Sequence, residues 1–83
     1  MSIIKYPLST EKSLRLLEAE NKMVFIVDIK ANKEMVKEDL EKTFSIKVKK
    51  INMLITPGGI KKAYVKFSDE TPAIDLATKL GMM

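Results

Sequence analysis

One stretch, Lys22 to Lys33, constrains the fold more than any other: Lys-Met-Val-Phe-Ile-Val-Asp-Ile-Lys-Ala-Asn-Lys. Read as a strand, it sends Met23, Phe25, Val27 and Ile29 to one face and Val24 and Ile26 to the other, so apolar side chains leave both faces at its start. A strand of that kind belongs inside a sheet with cover above and below, because either face left in water would expose branched and aromatic side chains. Asp28 and Lys30 make the second face polar toward the strand's end, so the cover thins there. Asn32 follows as a helix N-cap, its side-chain oxygen placed to accept from the free amides of the first turn, and Lys33 opens that helix at the surface.

The remaining elements arrange themselves around this strand. Ile3-Ile4-Lys5-Tyr6, stopped by Pro7, reads as a short edge strand pairing with it. Ser9 or Thr10 caps a helix reaching about Glu20, with Glu11 near its positive end, Leu14 and Leu17 as the buried stripe, and Asn21-Lys22 as its stop. After Asn32, the apolar positions Met35, Val36, Leu40 and Phe44 recur at helical spacing while Lys37, Glu38, Glu41 and Lys42 face water. Ser45 to Ile55 is a strand whose alternation slips phase, Ile46 and Val48 on one parity and Ile51, Met53 and Ile55 on the other, which calls for a bulge at Lys49-Lys50. Thr56-Pro57-Gly58-Gly59 reverses the chain into a strand from Lys61 to Phe67. That strand puts Ala63, Val65 and Phe67 on one side and Lys62, Tyr64 and Lys66 on the other. Thr71-Pro72 reads as cap and first helical position of a last helix lined by Ala73, Ile74, Ala77 and Leu80 and closed by Gly81. The order strand, helix, strand, helix, strand, strand, helix predicts an α+β fold of the split βαβ kind. Its sheet is four-stranded, mixed or antiparallel, in the order 1-2-4-3, with helices on both faces.

A chain of 83 residues predicts a single domain over 1–83 that buries only about 60 to 65% of its unfolded surface. With no histidine and no cysteine, it lacks the commonest general base, the commonest transition-metal ligands and any disulfide, so no cofactor and no catalytic centre are expected. Pro57-Gly58-Gly59 lacks the helix start that a phosphate-cradling loop needs. The six methionines are scattered and read as core filling and tail. The longest apolar run, Met23 to Val27, is far below the roughly 20 residues of a membrane span. Lys5, Tyr6 and Pro7 break any secretory signal, so a cytoplasmic protein without membrane insertion is expected.

Charge carries the functional signal. From Lys42 to Ser68 there are seven lysines and no acidic residue, whereas Met1 to Glu41 holds seven basic and eight acidic groups. A one-signed block can be a solvated face, but lysines, asparagines and hydroxyls gathered at element ends are also the groups that contact phosphate and sugar oxygens. No helix carries the dense basic face that a DNA major groove requires, so a folded RNA is the better ligand.

Ala63-Tyr64-Val65-Lys66-Phe67 resembles the second half of the signature strand of RNA-recognition motif domains. The first half departs from it: Ile60, Lys61 and Lys62 stand where that pattern has a basic residue, a glycine and an aromatic ring, so the stacking platform lacks a member. A free-standing RNA-recognition-type module therefore stays open as an alternative, and a tyrosine packed under a helix is the plainer reading of Tyr64.

A second resemblance spans nearly the whole chain. Pro7 with Thr10-Glu11-Lys12, the strand ending in Asp28, Ala31-Asn32-Lys33, the helix into Phe44, Val48 through Asn52, and Lys61-Lys62-Ala63-Tyr64-Val65 together resemble large-ribosomal-subunit protein twenty-three. The family signature ordinarily reaches a leucine where this chain has Phe67. The resemblance implies a structural ribosomal protein that binds domain three of the large-subunit rRNA beside the polypeptide exit, among neighbouring ribosomal proteins and with no small-molecule substrate. It implies RNA contacts from Thr10, Lys12, Asn32, Lys33, Asn52, Lys61 and Lys62. It also implies that Glu11 belongs to the surface where signal recognition particle and the translocon dock. Bacterial members carry a long hairpin extension into the exit tunnel; only five residues separate Ile55 from Lys61 here, which resembles archaeal and eukaryotic members.

Overall fold

A computed structural model describes residues 3–70 and 72–80. The elements are β1 (Ile4–Pro7), α1 (Glu11–Glu20), β2 (Lys22–Val27), α2 (Lys33–Phe44), β3 (Val48–Ile55), β4 (Lys61–Phe67) and α3 (Ala73–Lys79). The four strands form one sheet in the order β1-β2-β4-β3, and each neighbouring pair is antiparallel. β2 and β3 therefore run parallel, joined by α2, with β4 inserted between them. This is the split βαβ arrangement expected from the element order.

Pairing register decides which side chains share a face. One face carries Met23, Phe25 and Val27 of β2, Ala63, Val65 and Phe67 of β4, and Ile51 of β3. All are buried in a single cluster with Leu17 of α1, Val36 and Leu40 of α2, and Ala73, Leu76 and Ala77 of α3. Phe25, Phe67, Met23 and Leu40 are its largest fully enclosed side chains, and burying each such group stabilises by about 1.5 to 3 kcal/mol. The helices thus close mainly over the first face. The second face lies outside that cluster: Val24 and Ile26 are buried there, Val24 beside Leu8 and the Leu16 of α1, and Ile26 between Tyr6 of β1 and Lys62 of β4.

Three local expectations shift. Ile29 lies beyond β2 and is exposed, because the strand ends at Val27 and the Asp28 carboxylate accepts from the Lys30 amide at 2.9 Å to start a turn. Met35 points to solvent, leaving Val36, Leu40 and half-buried Phe44 as the inward stripe of α2. Pro72 occupies the N-cap position of α3 and makes no side-chain cap. The cap comes instead from Asn21, whose Oδ1 accepts from the Ala73 amide at 2.6 Å. Thr71, the side chain of Ile74, and Gly81 lie outside the described residues.

Candidate nucleic-acid interface

The second sheet face is built from three cross-strand rows. Tyr6, Ile26, Lys62 and Leu54 make the first; Val24, Tyr64 and Asn52 the second; Lys22, Lys66 and Lys50 the third. The bulge sets this pattern. Val48 pairs with Phe67 and Lys50 with Lys66, so Lys49 is the extra residue, and the bulge brings Lys50, Asn52 and Leu54 onto the second face. Without that insertion, Ile51 would leave the core.

The third row places like charges directly opposite one another across three strands, an arrangement that destabilises a sheet unless anions come to it. Lys22 has Glu20 at 3.3 Å. Among the described residues, no salt bridge forms at Lys50, Lys62 or Lys66. Other cations of the acid-free block are occupied: Lys47 pairs with Glu70 at 3.3 Å and Lys42 with Glu38 at 2.8 Å. The hydrogen bond from Lys42, and then its charge, hold the Glu38 carboxyl below the ordinary carboxylate range, and the same contact raises Lys42. That pair contributes above the ordinary carboxylate range and fades as pH falls through the lowered value; in full contact with solvent it is strongly screened.

The residues singled out in the sequence fall into two groups. Thr10, Lys12 and Lys62 line one depression together with Tyr64, and Asn52 stands directly across from Tyr64 on the same face. Thr10 is also the N-cap of α1: its hydroxyl accepts from the Ser13 amide at 3.2 Å, while Ser13 Oγ accepts from the Thr10 amide at 2.9 Å. Glu11 follows on the exposed side of α1 and pairs with Arg15 at 3.0 Å.

The second group is the loop between β2 and α2. Asn32 caps α2 as expected, Oδ1 accepting from the Met35 amide at 2.8 Å, and Lys33 is exposed as the first helical residue. Lys61 reaches this loop from β4. Its Nζ donates to the Ala31 carbonyl at 2.6 Å and to the Ile29 carbonyl at 3.3 Å, so it clamps the loop. Lys61 and Lys62, adjacent in sequence, therefore have different surroundings: one holds backbone, the other stands on the open face.

Sequence reasoning missed the lysine row. Lys50 and Lys66 lie in the acid-free block, but their alignment with Lys22 depends on the pairing register of β4 with β2 and β3, which strand order and bulge position do not specify. Asn21 caps the end of α1, the stop expected from the sequence, with a left-handed backbone (φ 55°), but sequence reasoning missed the reach of its side chain. Its side chain donates to the Phe67 and Ser68 carbonyls at 3.4 and 3.3 Å, fastening the end of β4 as well as the start of α3.

The family model for ribosomal protein L23 matches residues 2–74. The chain belongs to the ribosomal protein L23 family. Large ribosomal subunit protein uL23 of Pyrobaculum aerophilum is 51% identical over 81 residues, which cover 98% of this chain and 100% of that protein. Large ribosomal subunit protein uL23 of Trypanosoma brucei brucei is 43% identical over 81 residues, covering 98% of this chain and 49% of that longer protein. The chain thus spans the whole of the first relative and about half of the second. No described helix is long and apolar enough to cross a membrane.

Proposed function

We propose that this protein is a structural component of the large ribosomal subunit, in the cytoplasmic ribosome, and that it binds large-subunit rRNA through the second sheet face and the loop between β2 and α2. In this reading it is not an enzyme; its work is to hold RNA and to present a surface. The observation that carries the reading is the row Lys22, Lys66 and Lys50, a set of opposed cations on an open sheet that phosphate groups would relieve. Family membership supports a ribosomal setting. It also favours this reading over a free-standing RNA-recognition-type module.

The finer assignment is domain three of the rRNA beside the polypeptide exit, with Thr10, Lys12, Asn52 and Lys62 on one RNA segment and Asn32, Lys33 and Lys61 on another. Glu11, exposed on α1 beside Lys12, would serve signal recognition particle and the translocon. Binding of a domain-three transcript across a salt series tests the RNA assignment. About four to six phosphate contacts give a slope of log K against log salt of about −3 to −5. A flat response would remove the second face from the interface.

A further inference from the structure

On the second face, a depression of about 150 Å³ opens between the start of α1 and the sheet. Val24, Leu8 and Leu16 supply apolar lining, Tyr64 an aromatic ring, and Lys12 and Lys62 cations, with no acidic residue among its lining groups. It is smaller than the roughly 300 to 1,000 Å³ of a typical small-ligand pocket, so it suits one flat ring rather than a larger cofactor. Tyr64 is only half-buried, and among the described residues no hydrogen bond or ring contact commits it elsewhere.

We propose that this depression receives one unpaired base of the bound RNA, stacked against Tyr64, with its flanking phosphates on Lys12 and Lys62. The inference rests on the rRNA-binding reading and adds a nucleotide site to it. RNA is the occupant that the charge selects: an apolar slot alone would suit a peptide side chain, but a slot lined by an aromatic ring and two cations matches a base joined to its own phosphates. Bulged and looped nucleotides can be splayed out of a folded RNA and held by aromatic stacking in this way.

Two variants test the site from opposite directions, each measured with a domain-three transcript over a salt series and checked for folding by circular dichroism. Tyr64→Ala removes the stacking surface and Leu16→Phe fills the slot; neither changes charge. Each is expected to weaken binding about five- to a hundredfold with the salt slope unchanged, whereas Tyr64→Phe binds like the parent. Lys62→Gln is expected to lower the steepness of the slope by about one. If Tyr64→Ala does not fold, Leu16→Phe decides. Parent-like binding by folded Leu16→Phe overturns the base site while leaving the rRNA reading intact. Parent-like binding to the transcript, combined with exclusion of Leu16→Phe from assembled subunits, assigns the slot to a protein neighbour and also overturns it. A parent protein that ignores the transcript at every salt concentration overturns both readings.

Discussion

The two faces of the sheet differ in what their side chains answer to. On the first, Met23, Phe25, Val27, Ala63, Val65 and Phe67 are at most 2% exposed, and each is fixed by packing under α1, α2 and α3. On the second, the same strands present Lys22, Lys62, Tyr64 and Lys66, which stand outside the core cluster with only the start of α1 beside Lys62 and Tyr64. One face makes the fold; the other accepts a cost to it, since like charges opposed across a sheet lower stability. Substitutions on the first face should therefore act through folding, and those on the second through binding.

The largest expected effect is on the first face. Phe67→Ala empties a fully enclosed site and should cost about 3 to 5 kcal/mol, and Leu40→Ala about 2 to 5. Against a total stability of about 5 to 15 kcal/mol, either loss lowers the thermal midpoint steeply or unfolds the chain. Urea titration checks this. Retained stability in Phe67→Ala would mean the cluster is not the principal support of the fold.

Asn21 breaks the simple division between faces, because a polar residue outside the core ties α1, β4 and α3 together. Asn21→Gly keeps the left-handed backbone accessible and removes only the side-chain bonds, so it isolates their contribution, about 1 to 3 kcal/mol. Asn21→Ala adds backbone strain and should be worse. Equal melting of the two variants would show that φ at this position matters little.

Lys61 and Lys62 sharpen the comparison within a single dipeptide. Lys61→Met should cost about 1 to 3 kcal/mol by freeing the Ile29 and Ala31 carbonyls, while Lys62→Met leaves stability within about 0.5 kcal/mol. A double reversal, Lys61→Glu/Lys62→Glu, therefore does not isolate RNA contacts, since the first substitution also disturbs the loop that Asn32 caps. The sequence alone could place these two lysines on opposite faces by alternation, but not find the carbonyls: they belong to a loop 30 and 32 residues earlier in the chain.

The same limit runs through the rest of the structure. Alternation in β2 and β4, the Asn32 cap and the phase slip at Lys49 are local patterns, so the strands, their order and the bulge were legible. The lysine row and the Asn21 fastening join residues that only the register brings together, 16 to 52 positions apart. Of the candidate contacts, Thr10 and Lys12 were found through family resemblance, and their proximity to Tyr64 through the fold.

Lys66→Met should move two observables in opposite directions. Removing the middle cation relieves repulsion from both Lys22 and Lys50, raising stability by about 0.2 to 1 kcal/mol, while RNA binding weakens and its salt slope becomes shallower by about one. A variant that loses stability and binds RNA unchanged would show that the row is a structural feature and not a phosphate site.

Glu11 should give a small change in stability and the clearest separation of roles. It sits in the first turn of α1, where a negative charge complements the helix dipole, and its pairing with Arg15 is fully on the surface. Glu11→Gln removes both effects and should lower stability by less than about 1 kcal/mol; Glu11→Lys reverses the charge and should lower it slightly further. Neither replacement touches Thr10, whose hydroxyl supplies the cap, so α1 remains in place and RNA binding should persist. If Glu11 belongs to the docking surface, subunits carrying Glu11→Lys will recruit signal recognition particle less well than subunits carrying Glu11→Gln, although both fold and assemble. Equal recruitment by parent, Gln and Lys forms would leave Glu11 with its helix-end role alone and remove it from the proposed docking surface.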